Sequence, residues 1–416
     1  MLDLQFIRRN PELVKKNAKA KNVDVDIDRL LEVDMRLRDL QKNLEDIRHK
    51  RNLLSKKGDS KETREKGKSI KKEIKTLEKE IRSLREERDE IWEKVPNIVF
   101  PEVPAGRDEL DNKEIRRWGK IPQFDFKPRS HIELAEMWDL IDFKRGSKVS
   151  GFRGYFLKNE LAVLHLALLW YVFQKITAKG YTPVIAPAIV KEFTLFGCGQ
   201  FPWSRRETYV LNDSDAYLAG TAEQPVTSYF AGEILDEKDL PVKFVAFSPC
   251  YRREAGAYGK DTRGVYRVHE FWKVEQVIIA SADDDTVRDL HEELQKNTEE
   301  VWQDLRIPYR VLLMCTGDMG EPQAKKYDTE VWMPYREGWG EIASNSIMTD
   351  FQSRRLNIKY RLKDGSKRYV YTLNDTAVPS PRALIAIMEN YQQKDGSILV
   401  PEVLQKYTGF KKIPRD

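Results

Sequence analysis

Two stretches of this sequence alternate as β-strands do and carry charged side chains on one face. The first is KFVAFSPCYRRE, where a period of two aligns Arg252 with Glu254. The second is HEFWKVEQ, where it aligns Phe271, Lys273 and Glu275. A glycine-rich loop between them predicts a hairpin. Because buried charges need partners, the shared face predicts a ligand site, with an arginine for phosphate or carboxylate, a ring for a base and a carboxylate for hydroxyl or ammonium. A solvent-facing sheet with charged cross-strand pairs is the alternative.

A third stretch, YVYTLNDTAVPSPRALIAIMENYQ, combines a strand with the start of a helix. Asn374 and Thr376 share one face of the strand, which is predicted to end at Pro379 and Pro381. A helix beginning near Pro381 places Arg382 in its first turn, where the helix dipole and free amides favour anions. Arg382 is therefore predicted to bind phosphate; an arginine that caps a surface helix is the alternative.

Two shorter segments add polar side chains. In LAGTAEQPVT, Thr221 and Glu223 would point the same way if the backbone is extended, and a hydroxyl beside a carboxylate could receive an ammonium group. In GWGEIASNSIM, Glu341 and Ser344 lie among small residues, and a carboxylate next to a bound triphosphate would be a natural Mg²⁺ ligand. The sequence has no P-loop, no GxGxxG after a strand and no GxSxG elbow, so a P-loop or Rossmann nucleotide site is excluded.

The elements that must position these residues follow a long helical segment, 1–95. Apolar residues at Leu30, Leu37 and Leu44 are seven apart, a second set is interleaved with them, and the seam resumes from Ile70. A polar break over 56–67 separates the two seams. The pattern predicts an antiparallel helical hairpin of roughly 40 Å. A coiled coil between two chains is the alternative, which the internal turn disfavours.

Positive charge is concentrated in this hairpin. The formal net charge of the chain is +5, yet residues 48–88 alone contain 16 Lys and Arg against 8 Asp and Glu. Basicity confined to one segment indicates a localised contact with a polyanion. From charge alone, a solvated helix surface is an equal alternative.

Composition divides the chain into three parts. Residues 1–105 are predicted to form the helical arm and 106–130 a proline-containing linker. Residues 131–416 have a mixed α/β texture, with helices expected over 160–179, 283–304 and 382–393. Overall, the pattern predicts an α+β protein.

The remaining composition bears on compartment and cofactors. Three cysteines and five histidines are dispersed along the chain, which indicates a reducing compartment and no zinc site bound by the protein alone. The N-terminus lacks the apolar core of a signal peptide, and the longest apolar run, 161–173, is too short to span a bilayer. A cytoplasmic protein without membrane contact is expected.

These motifs together resemble a known family. Arg252, Glu254, Phe271, Glu275 and the helix-starting Arg382 resemble motifs 2 and 3 of class II aminoacyl-tRNA synthetases, at about 243–279 and 369–392. The segment at about 154–187 looks like motif 1, which builds the dimer interface in that class. TAEQP, HEFWKVEQ, GDMGEPQAKKYDTEVW, TDFQSRR and the basic hairpin are similar to seryl-tRNA synthetases in particular.

The resemblance implies a fold and a set of site residues. The fold would be an N-terminal coiled-coil hairpin followed by a catalytic domain built on a mainly antiparallel sheet flanked by helices. Serine would be held by Thr221, Glu223, Arg252, Glu275, Asn374 and Thr376. ATP would be bound by Arg252, Glu254, Phe271, Glu341, Ser344 and Arg382. Arg252, Glu341 and Arg382 would be catalytic, and Glu341 and Ser344 would bind Mg²⁺ through ATP. Gly340 departs from the family, which often has a basic residue there.

The activity implied is that of a serine–tRNA ligase. It would activate L-serine with ATP to seryl-adenylate and pass the seryl group to the 3′-terminal adenosine of tRNA(Ser), with the arm holding the tRNA. Whether tRNA(Sec) is also charged stays open. A homodimer is expected. The alternatives are a ligase with a non-tRNA acceptor, an inactive RNA-binding paralogue and another class II specificity such as threonine.

Overall fold

The computed structural model describes residues 1–56, 61–211, 215–255 and 263–415, and the chain divides into two compact units, Met1–Pro96 and Asn97–Asp416. The first unit is helical. Its helices are α1 (Leu4–Arg9), α2 (Pro11–Ala20), α3 (Ile27–Ser55) and α4 (Lys61–Trp92). Among the described residues, no helix is both long and apolar enough to cross a membrane.

Helices α3 and α4 pack against each other along the predicted seam. The buried residues of this contact are Val33, Leu37, Leu44, Ile47, Ile74, Ile81 and Leu84. Ion pairs join Arg29 to Glu87 at 2.6 Å and Arg48 to Glu78 at 2.8 Å, so the helices run antiparallel. The prediction of a hairpin within one chain is confirmed.

The predicted polar break over 56–67 is too long. Helix α4 already begins at Lys61 and continues through Gly67, because one glycine inside a long helix costs only about 1 kcal/mol relative to alanine. Residues 57–60 of the predicted break lie outside the described residues.

A basic stripe lies on α4, opposite the apolar seam. It consists of Lys68, Lys71, Lys72, Lys75, Lys79 and Arg82, all exposed. These positions are three, four, seven, eleven and fourteen residues beyond the first, a spacing that keeps them on one face of a helix. Because Ile74, Ile81 and Leu84 face α3, the stripe is directed to solvent.

The second unit is built from helices and strands. Its helices are α5 (His131–Met137), α6 (Phe143–Ser150), α7 (Asn159–Thr177), α8 (Glu192–Gly197), α9 (Glu223–Thr227), α10 (Asp284–Asp304), α11 (Phe351–Leu356), α12 (Arg382–Tyr391) and α13 (Glu402–Thr408). Its strands are β1 (Lys113–Trp118), β2 (Ile141–Asp142), β3 (Phe156–Leu157), β4 (Thr182–Ile185), β5 (Ile189–Val190), β6 (Val210–Leu211), β7 (Ala216–Leu218), β8 (Ile234–Asp236), β9 (Val242–Tyr251), β10 (Glu270–Ala280), β11 (Tyr309–Leu313), β12 (Lys325–Met333), β13 (Gly338–Thr349), β14 (Lys359–Arg361), β15 (Lys367–Tyr369), β16 (Tyr371–Ser380), β17 (Ile398–Leu399) and β18 (Lys412–Ile413).

Eight strands form the main sheet, in the order β1-β11-β12-β13-β16-β10-β9-β4. All neighbours are antiparallel except β4 and β9. Helices α7, α10 and α12 pack their apolar faces into the core that covers this sheet. The predicted α+β class with a mainly antiparallel sheet flanked by helices is confirmed.

Both edges of the main sheet have distinctive residues. Strand β1 carries charged side chains at Lys113, Glu114, Arg116 and Arg117, and it lies within the segment predicted to be a linker. Strand β4 forms the other edge and contains Pro183. The segment 106–130 therefore contributes a strand to the sheet.

Strands β13 and β16 pair only over part of their length. Their pairing runs from Thr349–Thr372 to Asn345–Asp375 and stops there. Beyond this point the two strands separate within the sheet, while β16 stays paired with β10 as far as Ser380. A gap therefore opens on one side of β16, between elements that remain fixed by their other neighbours.

The predicted hairpin, strand end and helix start are confirmed. Strands β9 and β10 are antiparallel neighbours, and α12 begins at Arg382. Strand β16 runs through Pro379 and ends at Ser380, between the two prolines predicted to mark its end. Proline is tolerated there because β13 has already separated, so no hydrogen bond to that side is lost.

Candidate active site

All the residues predicted for the site line one cavity of about 330 Å³ in the second unit. They are Thr221, Glu223, Arg252, Glu254, Phe271, Glu275, Glu341, Ser344, Asn374, Thr376 and Arg382. The cavity lies at the gap between β13 and β16 and is lined by side chains of these two strands and of β10 and β12. The structure therefore brings together side chains that are up to 161 positions apart in the sequence.

The end of the β9–β10 hairpin supplies a cation stacked on a ring. The guanidinium carbon of Arg252 lies 5.2 Å from the centre of the Phe271 ring. Arg252 Nε donates a hydrogen bond of 3.2 Å to the carbonyl of Gly220, which fixes its direction. Glu254 has a φ of +52° and accepts a hydrogen bond of 3.2 Å from Arg267. This corner presents a flat ring and positive charge to the cavity.

Three buried side chains at the bottom of the cavity, Lys273, Glu275 and Thr376, contact one another. Lys273 Nζ lies 2.5 Å from Glu275 Oε2 and donates to Thr376 Oγ1 at 3.1 Å. Thr376 Oγ1 in turn donates to Glu275 Oε2 at 3.1 Å. A bulge between Val274 and Glu275 brings Thr376, rather than Ala377, opposite Glu275.

Thr221 and Glu223 reach the cavity in a way the sequence did not predict. The backbone there is not extended, because Glu223 begins helix α9 and its amide donates to Thr221 Oγ1 at 3.3 Å. Glu223 Oε1 accepts a hydrogen bond of 2.7 Å from Gln352, whose side-chain carbonyl accepts from Thr372 at 2.6 Å. Both predicted side chains are buried and line the cavity.

The environment of Glu223 raises the pKa of its carboxyl to about 7. Burial is the largest cause and the negative charge of Glu275 adds to it, while the hydrogen bond from Gln352 and the charges of Lys273 and Arg252 act in the opposite direction. At neutral pH the carboxyl is therefore close to its midpoint. A cationic ligand beside it would favour the ionised form.

Glu341 and Ser344 share the cavity because of a second bulge. Residues three apart on a regular strand face opposite sides, but the pairing skips Ile342, with Glu341 opposite Glu330 and Ala343 opposite Thr329. Asn374 contributes from across the gap, and its Nδ2 is buried without a hydrogen-bond partner among the described residues. These groups offer both acceptors and a donor to a ligand.

Arg382 spans the gap from the start of α12. Its Nη1 donates to the backbone carbonyl of Glu341 at 2.8 Å and lies 3.5 Å from the Glu341 carboxylate. Its guanidinium carbon lies 4.3 Å from the centre of the Tyr266 ring, and that of Arg336 lies 4.0 Å from the same ring. Arg382 is thus held at a helix N-terminus beside a carboxylate.

The charges around Glu341 set its ionisation. The side chain of Glu341 is 48% exposed, and desolvation by the protein around it acts to raise the pKa of its carboxyl. The positive charges of Arg382, Lys326, Arg252 and Arg267 outweigh this effect, so the pKa is below its ordinary value. Glu341 is therefore ionised at neutral pH. A carboxylate and a hydroxyl, Ser344, are oxygen donors of the kind that Mg²⁺ prefers.

Part of the site was not predicted from the sequence. Lys326 lines the cavity and donates to Asp328 at 2.9 Å, and Asp328 lies opposite Ser344 in the sheet. Burial, with the charge of Glu341, raises the pKa of Asp328 to about 7 against the opposing charge of Lys326. Lys326 and Asp328 alternate in one strand, a local pattern from which their shared face could have been predicted. Gln352, which donates to Glu223 from α11, lies in no such pattern.

Gly340 is explained by close packing. A side chain there would place its first carbon 2.7 Å from Met333 Sδ and Cε and 3.3 Å from the hydroxyl of Tyr266. A basic residue would need Met333 to move. The glycine therefore lets the end of the Met333 side chain and the Tyr266 hydroxyl lie close to the backbone of β13.

The metal donors do not form a complete site by themselves. Within the described ranges, no group of three or more His, Cys, Asp and Glu side chains is placed to hold a metal ion. Glu341 and Ser344 would supply part of an oxygen shell, and a triphosphate could supply the rest. The donor set fits Mg²⁺ that arrives with a nucleotide.

Family models match both units of the chain, and similar proteins align over nearly its whole length. Residues 1–99 match the model of the seryl-tRNA synthetase N-terminal domain, and residues 208–391 match that of the tRNA synthetase class II core domain (G, H, P, S and T). A serine–tRNA ligase of Dictyoglomus thermophilum is 45% identical over 424 residues, which cover 99% of each protein.

Two solved structures are also similar. The seryl-tRNA synthetase of Pyrococcus horikoshii, complexed with ATP, superposes with a TM-score of 0.92 at 41% identity and covers 100% of each chain. The cytoplasmic serine–tRNA ligase of Naegleria fowleri, in complex with AMP, gives a TM-score of 0.86 at 32% identity and covers 98% of this chain and 96% of its own.

The pKa of Glu223 predicts a pH-dependent affinity for serine, the amino acid expected in this cavity. Only the ionised carboxylate can pair with the substrate ammonium, so affinity should be nearly full at pH 8 and fall as pH drops through 7. Between pH 8 and pH 6 we expect a loss of about tenfold, measured by calorimetric titration without ATP. In Glu223→Gln the affinity should be weaker and flat over this range; an unchanged slope would assign the titration to another group.

Proposed function

Because the chain belongs to the seryl-tRNA synthetase family and ligates serine to tRNA with ATP, we propose that the cavity between β13 and β16 activates the serine and that the α3–α4 hairpin holds the tRNA. The observation that supports this is the convergence of two sets of groups in one cavity. One set suits a small amino acid with a hydroxyl, and the other suits a nucleotide triphosphate.

The serine subsite lies at the floor of the cavity. Glu223 and Thr221 receive the ammonium group, and Glu275 and Thr376 receive the hydroxyl beside Asn374. Arg252 reaches the serine carboxylate from the end of the hairpin, a pairing that guanidinium groups favour. Because the buried acceptors would be left unpaired by alanine, this subsite favours a hydroxyl side chain strongly.

The nucleotide subsite lies toward α12. Phe271 stacks on the adenine, with Glu254 supporting it and Arg252, and Arg382 binds the terminal phosphate at the helix N-terminus. A carboxylate oxygen of serine attacks the α-phosphorus, the bond to the bridging oxygen of the β-phosphate breaks, and pyrophosphate leaves. The serine carboxylate is already ionised, so alignment and charge neutralisation by Arg252 and Arg382 provide the rate enhancement.

Glu341 and Ser344 would hold Mg²⁺ brought in with ATP. The ion, when bound, neutralises charge on the phosphates. Glu341 is suited to this because the positive charges of the surrounding arginines and Lys326 lower the pKa of its carboxyl, so it is ionised at neutral pH. In the second reaction, a ribose hydroxyl of the terminal adenosine attacks the carbonyl carbon of the adenylate, and AMP leaves.

The basic stripe on α4 would bind the tRNA backbone. Its six cations on one face match a row of phosphates and carry little information about base sequence. This is consistent with recognition by shape and charge. Whether the same arm also accepts tRNA(Sec) would follow from the shape of that RNA.

We also propose a homodimer in the cytoplasm. Helix α7 exposes Leu166 and Trp170, 62% and 52% accessible, on the face opposite its buried residues, and an apolar patch of this kind is typical of an interface. The helix lies in the segment that resembles motif 1. Cys198, Cys250 and Cys315 are free and buried, which is compatible with a reducing compartment.

Arg382→Ala should lower the rate of serine-dependent pyrophosphate exchange into ATP by about 1,000-fold, because an electrostatic contact to the triphosphate is lost. Arg336→Ala is a matched control, since Arg336 stacks on the same Tyr266 ring but does not line the cavity. Its exchange rate should stay within about threefold of wild type. Equal losses in both variants would remove Arg382 from the phosphate role.

In the same assay, Glu341→Gln should need a higher Mg²⁺ concentration than wild type for half-maximal rate.

Reversing charge on the stripe should separate the two reactions. In Lys71→Glu/Lys75→Glu, the KM for tRNA in aminoacylation should rise about 100-fold at physiological ionic strength, because phosphate contacts become repulsive. Pyrophosphate exchange should be unchanged. Lys363→Glu/Lys367→Glu in the second unit makes the same change in net charge at exposed positions and should leave both reactions intact. A matching KM rise in that control would indicate a general charge effect.

Leu166→Asp/Trp170→Asp should convert the dimer to monomer at micromolar concentration, as measured by sedimentation velocity, because charged groups would be buried at the interface. Leu110→Asp is the control, since Leu110 is equally apolar and 88% exposed but precedes β1 at the other edge of the sheet. It should leave the dimer intact. A wild-type monomer would end the dimer proposal.

A further inference from the structure

Lys273 is a buried cation in the serine subsite, in addition to the residues proposed to hold the substrate. Its side chain is only 6% exposed and its ammonium contacts both members of the pair proposed to receive the serine hydroxyl, Glu275 and Thr376. It lines the same cavity as Glu223. A lysine is costly to bury, so its presence among these groups calls for a chemical reason.

The donor count of Lys273 leaves one N–H available. An ammonium has three donors and no acceptor. The described contacts of Lys273 Nζ are with Glu275 at 2.5 Å and Thr376 at 3.1 Å. Thr376 uses its own proton on Glu275, so it can offer no further donor to a ligand. Lys273 is therefore the group of this set with a proton to donate.

The set is suited to a ligand that is donor and acceptor at once. Glu275 is paired with a cation and accepts hydrogen bonds, so a ligand hydroxyl can donate to it. Lys273 can donate to the oxygen of the same hydroxyl. An alkyl side chain satisfies neither group, and a thiol is a weak partner for both.

We propose that Lys273 is a specificity-determining residue that, with Glu275, forms a two-sided receptor for the serine hydroxyl. This inference rests on the proposed function of the cavity. Lys273 also places a positive charge 2.5 Å from Glu275, in a cavity that holds a second carboxylate, Glu223. Its contribution is to selection among side chains, with ATP binding left to other residues.

The receptor has a selective consequence. Threonine carries the same hydroxyl, so Lys273 and Glu275 cannot separate it from serine, and its exclusion must depend on the space for the extra methyl group. Alanine and cysteine are the amino acids that this receptor rejects. Loss of Lys273 should therefore relax discrimination against alanine and cysteine and leave discrimination against threonine unchanged.

The test is pyrophosphate exchange by Lys273→Met with serine, alanine, cysteine and threonine. We expect the KM for serine to rise by about 30-fold or more while the KM for ATP stays within about threefold. The serine-to-alanine and serine-to-cysteine ratios of kcat/KM should each fall at least about tenfold, with the serine-to-threonine ratio nearly constant. Lys326→Met, the same change at the nucleotide end of the cavity, should alter the KM for ATP and keep the amino-acid ratios.

A second variant distinguishes a loss of selectivity from a loss of folding. Lys273→Met alone leaves Glu275 buried without its counter-charge, which is expected to destabilise the fold. The double variant Lys273→Met/Glu275→Gln removes both charges. Its thermal unfolding midpoint should return to that of the wild type, while selectivity stays lost. Selectivity ratios at the wild-type level in that double variant, or a uniform loss for all four amino acids, would overturn the role of Lys273. If wild-type enzyme fails to exchange with serine at all, the proposed function itself is refuted.

Discussion

The site depends on the point where β13 and β16 stop pairing. Adjacent strands in a sheet normally leave no room between them, yet here the ladder ends at Asn345 and Asp375, and both strands continue apart. Each is still fixed on its other side, β13 by β12 and β16 by β10. The cavity therefore lies where the ladder between two otherwise paired strands ends, and side chains from both strands can converge on a ligand there.

Two bulges decide which side chains enter that opening. A shift of one residue turns every following side chain to the other face of a strand. The bulge in β13 places Glu341 and Ser344 together, and the bulge between β10 and β16 sets Thr376 against Glu275. The opening accommodates charges of both signs, and each described carboxylate in it has a cation or an amide beside it.

Much of this could be predicted from the sequence, and the failures have physical causes. The alternation in β9 and β10, and the apolar seam of the arm, are local patterns with fixed periods, so the hairpins followed directly from them. Glu341 and Ser344 face the same cavity only because of a bulge in β13, and no local sequence pattern indicates that bulge. The backbone at Glu223 turns into a helix, and its partner Gln352 lies 129 positions away, so neither the conformation nor the contact could be read from neighbouring residues.

The edges of the main sheet limit how it can associate with other chains. An unpaired strand edge invites main-chain pairing and aggregation, which charged residues or proline suppress. Strand β1 has a row of charges at one edge, and Pro183 removes an amide donor from β4 at the other. Continuous β-augmentation between copies is therefore discouraged at both ends, so that any self-association near α7 must be built from side-chain packing.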